Sequence, residues 1–112
     1  MELINIRLSN GKEEILSYSK IPCIIKDGKT TFVIDDTKTT ISNEKLIREN
    51  KEQLFILDIR NKKSTYTLKE QRYTVDIEVE KVSYKQDNKN IELIYKILSN
   101  EEELTMNIER EK

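Results

Sequence analysis

The sequence contains no histidine, no tryptophan and only one cysteine, Cys23. Without histidine, Ser-His-Asp and Cys-His catalysis and every His-ligated metal site are excluded. A single cysteine excludes an internal disulfide and a thiolate cluster. We expect Cys23 to be a buried small hydrophobe rather than a reactive thiol. The sequence therefore predicts no catalytic residue, no metal site and no cofactor.

Long apolar runs are also absent. No stretch approaches the ~20 apolar residues of a membrane span, and residues 1–8 largely alternate in polarity, unlike a signal peptide. The 20 Lys and Arg and 21 Asp and Glu leave a net charge of −1, which gives no global attraction to nucleic acid or anionic lipid. We expect one domain spanning 1–112, cytoplasmic, with no membrane partner.

Turn residues separate short segments of alternating polarity along the whole chain. The only two glycines lie in Asn10-Gly11 and Asp27-Gly28. Both pairs predict type I′ hairpin turns, because that turn needs a positive φ at both central residues. The single proline, Pro22, is expected at an edge, a strand start or a bulge. The candidate strands are 3–9, 12–18, 21–26, 29–35, 38–42, 45–49, 52–60, 63–69, 72–85, 91–98 and 103–109.

About ten antiparallel strands with no long crossover predict an all-β meander that closes into a small barrel. The alternative is a β-sandwich, because several isolated apolar residues lie on the outward strand face: Ile24, Val33, Leu54, Ile56, Ile94 and Leu98. The segment 43–57 has an alternative of its own: it is rich in Glu, Lys, Leu and Gln, which are compatible with a helix instead of two strands. The apolar run 54–57 favours a strand there.

The segment 72–85 has a slip in its apolar alternation. Val79 is the last residue of one apolar row. Val82 and Tyr84 lie on the same face as this row only if the strand contains one extra, unpaired residue near Glu80-Lys81. This predicts a β-bulge, a bend and a change of neighbouring strands at that point. Matching the apolar faces then predicts four cross-strand pairs: Tyr84 with Ile91, Val82 with Leu93, Val79 with Tyr95, and Tyr95 with Met106.

Three stretches resemble the YwiB-like family of small bacterial proteins of unknown function. They are an aromatic-containing strand ending in acidic residues at 29–36, a Thr-rich strand followed by a short strand ending in a basic residue at 39–48, and a Tyr-x-Thr hairpin with a final meander at 66–68, 73–77 and 91–95. Where the family has a Gly-containing turn after Tyr-x-Thr, this chain has Glu70-Gln71. The resemblance implies a calycin-type, lipocalin-like barrel and implies no activity.

Three tyrosines are the binding candidates: Tyr73, Tyr84 and Tyr95 are predicted on the inner face of the last meander. They would line a cavity for a small apolar ligand, or else fill the core with their hydroxyls reaching water.

The other candidate catalytic groups have weaker support. The Ser9-Lys12 and Ser17-Lys20 pairs lie in strands, where residues i and i+3 point to opposite faces. The carboxylate groups are expected to be solvated: Asp35-Asp36, Asp76/Glu78/Glu80 and Glu101–Glu103.

These features together predict a non-catalytic protein that binds a small apolar ligand or a protein partner, including a second copy through an exposed strand edge. The first alternative is an enzyme that uses carboxylates and tyrosines. The second is a weak nucleic-acid binder that uses a basic cluster near one hairpin, namely Arg60, Lys62, Lys63, Lys69 and Arg72. Nucleic acid is not expected, because basic and aromatic residues do not interleave on one face.

Overall fold

Ten antiparallel strands form a closed barrel in the computed structural model, which describes residues 2–11, 13–98 and 103–111. The strands are β1 (Glu2–Asn10), β2 (Glu13–Lys26), β3 (Lys29–Ile34), β4 (Thr37–Ile41), β5 (Lys45–Glu49), β6 (Gln53–Asp58), β7 (Lys63–Leu68), β8 (Tyr73–Gln86), β9 (Asn90–Ile97) and β10 (Leu104–Glu111). Each strand pairs with the next one, and β1 pairs with β10 to close the ring. The predicted ten-stranded meander and its closure are confirmed. The helix alternative for 43–57 is wrong, since β5 and β6 occupy that segment.

The β2–β3 turn has the predicted type I′ conformation. Asp27 and Gly28 have φ angles of 53° and 77°, and Lys26 pairs with Lys29 on either side of them. The same arrangement recurs without glycine at Asp35-Asp36, whose φ angles are 49° and 63°. Aspartate tolerates this left-handed region better than most residues, so this carboxylate pair makes a turn.

The prediction for Asn10-Gly11 is wrong by one position. Asn10 pairs with Glu13 as the last residue of β1, so the turn begins at Gly11 rather than at Asn10. Gly11 has a φ of 64°, and Lys12 lies outside the described residues. The glycine takes the first loop position because it adopts a positive φ without steric cost.

The bulge predicted near Glu80-Lys81 is present. Val79 lies opposite Ile97 and Lys81 lies opposite Lys96, which leaves Glu80 without a partner. Residues 73–78 of β8 pair with β7, whereas residues 79–86 pair with β9. The long strand therefore changes neighbours at the bulge, as its apolar pattern predicts.

The predicted pairs around β9 are displaced by two residues. Val82 lies opposite Tyr95, and Tyr95 lies opposite Leu104 rather than Met106. The β8–β9 turn sets the register between β8 and β9: the Asp87 carboxylate accepts hydrogen bonds from the backbone N–H groups of Lys89 and Asn90, both at 2.8 Å. This tight turn shortens the loop, and a shift of two residues keeps every side chain on its face. The remaining pairs move in the same way, to Tyr84–Leu93 and Val79–Ile97.

β2 is a single strand of 14 residues where the sequence predicts two, 12–18 and 21–26. The expected break at 19–20 is a bulge, where Lys20 has a φ of 56° and donates its backbone N–H to Asn5 Oδ1 at 2.9 Å. A second irregularity near Ile15 displaces the pairing with β1 again. Pro22 lies just before Cys23, at which the pairing with β3 begins. The two bulges bend β2 from β1 towards β3, as the Glu80 bulge does in β8.

The interior holds one apolar core drawn from nearly all strands. Its buried members are Ile4, Ile6, Cys23, Phe32, Ile41, Leu46, Leu57, Ile59, Val79, Ile91, Leu93, Tyr95, Met106 and Ile108. Cys23 is buried, as expected, and burial raises the pKa of its thiol, with the nearby Glu2 adding to that rise and Arg110 opposing it. The outward apolar residues that made a β-sandwich the alternative are exposed or half-buried on the outside of the barrel. They therefore form no second core.

Among the described residues, there is no helix with the length and apolar character that a membrane-spanning helix needs.

Candidate functional site

One end of the barrel interior contains a cavity of about 430 Å³. Asn50 and Gln53 at the β5–β6 turn and Thr37 at the start of β4 border it, which places it at the end of the barrel where β3 and β5 terminate. The rest of its wall is apolar apart from one arginine. These residues are Arg48, Phe55, Tyr66, Ile77, Tyr95, Ile97 and Leu104.

A smaller chamber of about 170 Å³ adjoins this cavity. Thr37 and Arg48 line both spaces, so their side chains lie at the boundary between them. The wall of the smaller chamber includes the apolar residues Phe32, Ile34 and Met106 and the acidic residue Asp35. The interior at this end of the barrel therefore holds two neighbouring spaces with an arginine between them.

Arg48 reaches the interior because of its place in β5. Leu46 is fully buried, and side chains two residues apart in a strand share a face, so Arg48 points inward beside Leu46. In the adjacent strands, Thr39 and Phe55 lie directly opposite Arg48. Its Nε atom is buried and has no hydrogen-bond partner. No ion pair found within the described ranges involves Arg48.

Tyr95 forms part of the apolar wall. Its side chain is 6% exposed, and its ring stacks on Phe55 with centroids 6.2 Å apart and planes at 28°. Burial raises the pKa of Tyr95, and the positive charge of Arg48 opposes this rise. Both side chains line the same cavity.

The other two tyrosine candidates lie elsewhere. Tyr84 is half-buried, donates its hydroxyl to Gln86 Oε1 at 2.8 Å and lies outside the cavity wall. The prediction that Tyr73 faces the interior is wrong, since it is 57% exposed. Residues 73–78 pair only with β7, so this half of β8 extends past β9 and Tyr73 lies beyond the core.

The cavity also contains residues that the sequence analysis did not single out. Arg48 was read only as the basic end of a short strand, although its spacing from Leu46 places it on the inward face. Phe55 and Tyr66 are directly opposite each other in β6 and β7. The alternation in those strands puts both rings inside, but it does not show that space remains between them.

The carboxylate candidates are dispersed over the surface. Asp76, Glu78 and Glu80 are exposed, as predicted for an outward strand face. Glu103 pairs with Lys81 at 2.7 Å, while Glu101 and Glu102 lie outside the described residues. Within the described ranges, no three His, Cys, Asp or Glu residues are grouped so as to hold a metal ion.

Within the basic cluster, Lys69 is already neutralised by an acidic neighbour. Its Nζ lies 2.6 Å from Glu49 Oε2, and this hydrogen bond and charge lower the pKa of Glu49. Arg60 lies 4.0 Å from Glu44. The cluster is therefore less positive than its sequence alone indicates.

The described residues of the two serine–lysine pairs show no sign of a catalytic site. Ser17 and Lys20 are both exposed. In the other pair, Lys12 lies outside the described residues.

The outside of the barrel carries a larger but polar groove of about 700 Å³. It crosses the sheet from β2 to β8, and its walls are outward side chains of mixed charge, including Arg7, Lys85, Glu92 and Glu109. The surface of this groove is mainly polar, whereas the surface of the interior cavity is mainly apolar. The smaller interior cavity is the better binding site, since ligand sites are mostly apolar with a few polar groups.

The sequence matches no family model, and no curated protein or solved structure matches it either. What the chain binds or does is therefore inferred from its own residues and their arrangement.

Proposed function

We propose that this protein is a non-catalytic binder of a small, mainly apolar ligand, which occupies the interior cavity beside Tyr95. The observation that carries this proposal is the cavity itself. Its volume of about 430 Å³ lies within the ~300–1,000 Å³ typical of ligand pockets. Its wall is mostly aromatic and aliphatic, with polar groups concentrated near the opening and at Arg48.

Two physical arguments support the proposal. Protein interiors are ordinarily close-packed, and an unfilled apolar void reduces stability in proportion to its size. A barrel of eight strands has an interior that side chains just fill or that holds one small ligand. Ten strands enclose a wider interior, and the small side chains Thr30, Thr39 and Ser64 are among those buried within it.

The direct test is binding of a neutral fluorescent probe, N-phenyl-1-naphthylamine, whose emission rises in apolar surroundings. We expect one probe to bind per wild-type chain. Thr37→Trp should abolish binding, because an indole at the cavity boundary fills the space. Thr40→Trp is the matched control, since Thr40 lies on the outward face of the same strand and opposite Thr31.

Two results would count against the cavity as a binding site. One is the absence of saturable probe binding to the folded wild-type protein. The other is equal binding by the Thr37→Trp and Thr40→Trp variants, which would place the probe on the outer surface.

A second candidate function is association through a free strand edge. Residues 13–22 of β2 pair with β1 only, and no described strand lies along their other edge. Ile15 and Leu16 in this stretch are 51% and 45% exposed, and exposed edges of this kind favour pairing with another chain. A homodimer in native mass spectrometry, weakened by Ile15→Lys, would support this candidate, and a monomer alone would contradict it.

We also propose that the chain belongs with the YwiB-like proteins and is cytoplasmic. The ten-stranded antiparallel meander agrees with the calycin-type barrel that the resemblance implies. A single buried cysteine without a partner is typical of a reducing compartment. The enzyme and nucleic-acid alternatives have less support, because the carboxylates are dispersed and at least two residues of the basic cluster lie near acidic side chains.

A further inference from the structure

We propose that the ligand in the interior cavity carries an anionic group, a carboxylate, and that Arg48 binds it. This inference rests on the proposed function, because it assigns the chemistry of a ligand in that cavity. It makes the protein a receptor for a small amphipathic acid rather than for a hydrocarbon.

The first observation is the state of Arg48 itself. Its Nε atom is buried without a hydrogen-bond partner, and its guanidinium lies where a ligand would fill the surrounding space. The Arg48 side chain as a whole is half-buried, but a buried polar atom without a hydrogen-bond partner is unfavourable. The carboxylate of Asp35 borders the smaller chamber together with Arg48, but no described carboxylate forms an ion pair with the guanidinium, so a bound anion would supply a partner.

The second observation is the distribution of polar groups around Arg48. Thr37 borders both chambers, and its hydroxyl oxygen accepts a hydrogen bond from Asn50 Nδ2 at 3.4 Å. The hydroxyl proton of Thr37 is therefore available to a ligand oxygen. An arginine guanidinium binds a carboxylate through two parallel N–H···O bonds, and Thr37 would add a third donor.

The apolar wall then determines the rest of the ligand. The rings of Phe55, Tyr66 and Tyr95, together with Ile97 and Leu104, line the space beyond Arg48. An alkyl or aryl group of moderate size would pack there, with its carboxylate at the boundary between the chambers. The site therefore fits a short-chain or aromatic monocarboxylic acid.

The test compares octanoate with 1-octanol, which have chains of equal length and differ in charge, by isothermal titration calorimetry. Hydrogen bonds to charged groups contribute more than neutral ones, so we expect octanoate to bind wild-type protein about ten- to a hundredfold more tightly. Arg48→Met should remove this preference while leaving octanol binding in place. Arg60→Met is the matched control, because Arg60 is exposed in the β6–β7 loop and is not part of the cavity wall.

Arg48→Lys separates charge from geometry: it keeps the positive charge but loses the planar fork, so an intermediate preference is expected. Arg48→Met should fold, with a melting temperature close to that of wild type, because it replaces a half-buried side chain, whose Nε has no hydrogen-bond partner, with an unbranched apolar one. Equal affinities of wild-type protein for octanoate and octanol would overturn the assignment of an anion while leaving the cavity as an apolar site. A preference that persists in Arg48→Met would overturn the role of Arg48. If neither compound binds, the proposed function fails and this inference fails with it.

Discussion

Deletion of Glu92 is expected to prevent folding, whereas deletion of Glu80 is expected to leave a folded and only modestly less stable protein. Both deletions remove one glutamate from a long strand. The two deletions differ in whether the residue removed is paired with neighbouring strands. Glu92 has partners in both adjacent strands, Lys85 and Asn107, but Glu80 is the unpaired residue of the bulge.

The reason lies in the two-residue period of a strand. Ile91, Leu93 and Tyr95 are all buried on the inward face of β9, and removing Glu92 turns one part of this row outward. Each large apolar side chain that leaves the core costs about 1.5–3 kcal/mol. Two or three of them approach the ~5–15 kcal/mol total stability of an ordinary domain.

Removal of Glu80 has the opposite consequence for register. Val79 and Val82 both face inward while Glu80 and Lys81 are exposed between them. Without Glu80, Val79, Lys81 and Val82 follow simple alternation, and the apolar row keeps its face. Only the local bend is lost.

The measurement is urea unfolding followed by circular dichroism. We expect a cooperative transition with a slightly lower midpoint for the Glu80 deletion and no cooperative transition for the Glu92 deletion. Similar transitions for both variants would show that β8 and β9 tolerate a change of register, and that the bulge has no special place in the fold.

Tyr95→Ala is expected to lower the free energy of unfolding by about 3–5 kcal/mol, the usual range for a large aromatic side chain removed from a core. The substitution removes the stacking on Phe55 and the contact surface of a side chain that is 6% exposed. Tyr73→Ala is the matched control, and we expect a loss of less than about 1 kcal/mol, as for an ordinary surface change.

Chemical denaturation of both variants against wild type measures this difference. A loss below about 1 kcal/mol for Tyr95→Ala, on the scale of a surface substitution, would mean that Tyr95 is on the outer face. Equal losses for the two tyrosines would contradict the placement of Tyr73 beyond the core.

The bulge in β8 could be predicted because a slip in apolar alternation is a local pattern. Val79 and Val82 have incompatible phases in a regular strand, and one extra residue resolves the conflict. The register with β9 could not be predicted in the same way, because a shift of two residues leaves every face unchanged. The hydrogen bonds of Asp87 to Lys89 and Asn90 set that register, and they depend on a loop geometry that apolar alternation does not specify.

The candidate site was predictable only in part. Alternation places Tyr95 inside, but Tyr73 has the same alternation and lies outside because β9 does not extend beside it. Arg48 shares the inward face of Leu46, yet arginine lies so rarely in a protein interior that sequence alone favours an exposed strand end. Whether the interior is filled or hollow depends on the closure of ten strands and on all the volumes packed inside them.

Native mass spectrometry of the protein purified from the cells that naturally make it would show whether the barrel holds a small ligand in its interior. We expect a species heavier than the bare chain by one small acidic molecule. This extra mass should be lost in Thr37→Trp and reduced in Arg48→Met but kept in Thr40→Trp. Wild-type protein that carries no more bound mass than Thr37→Trp would contradict this expectation.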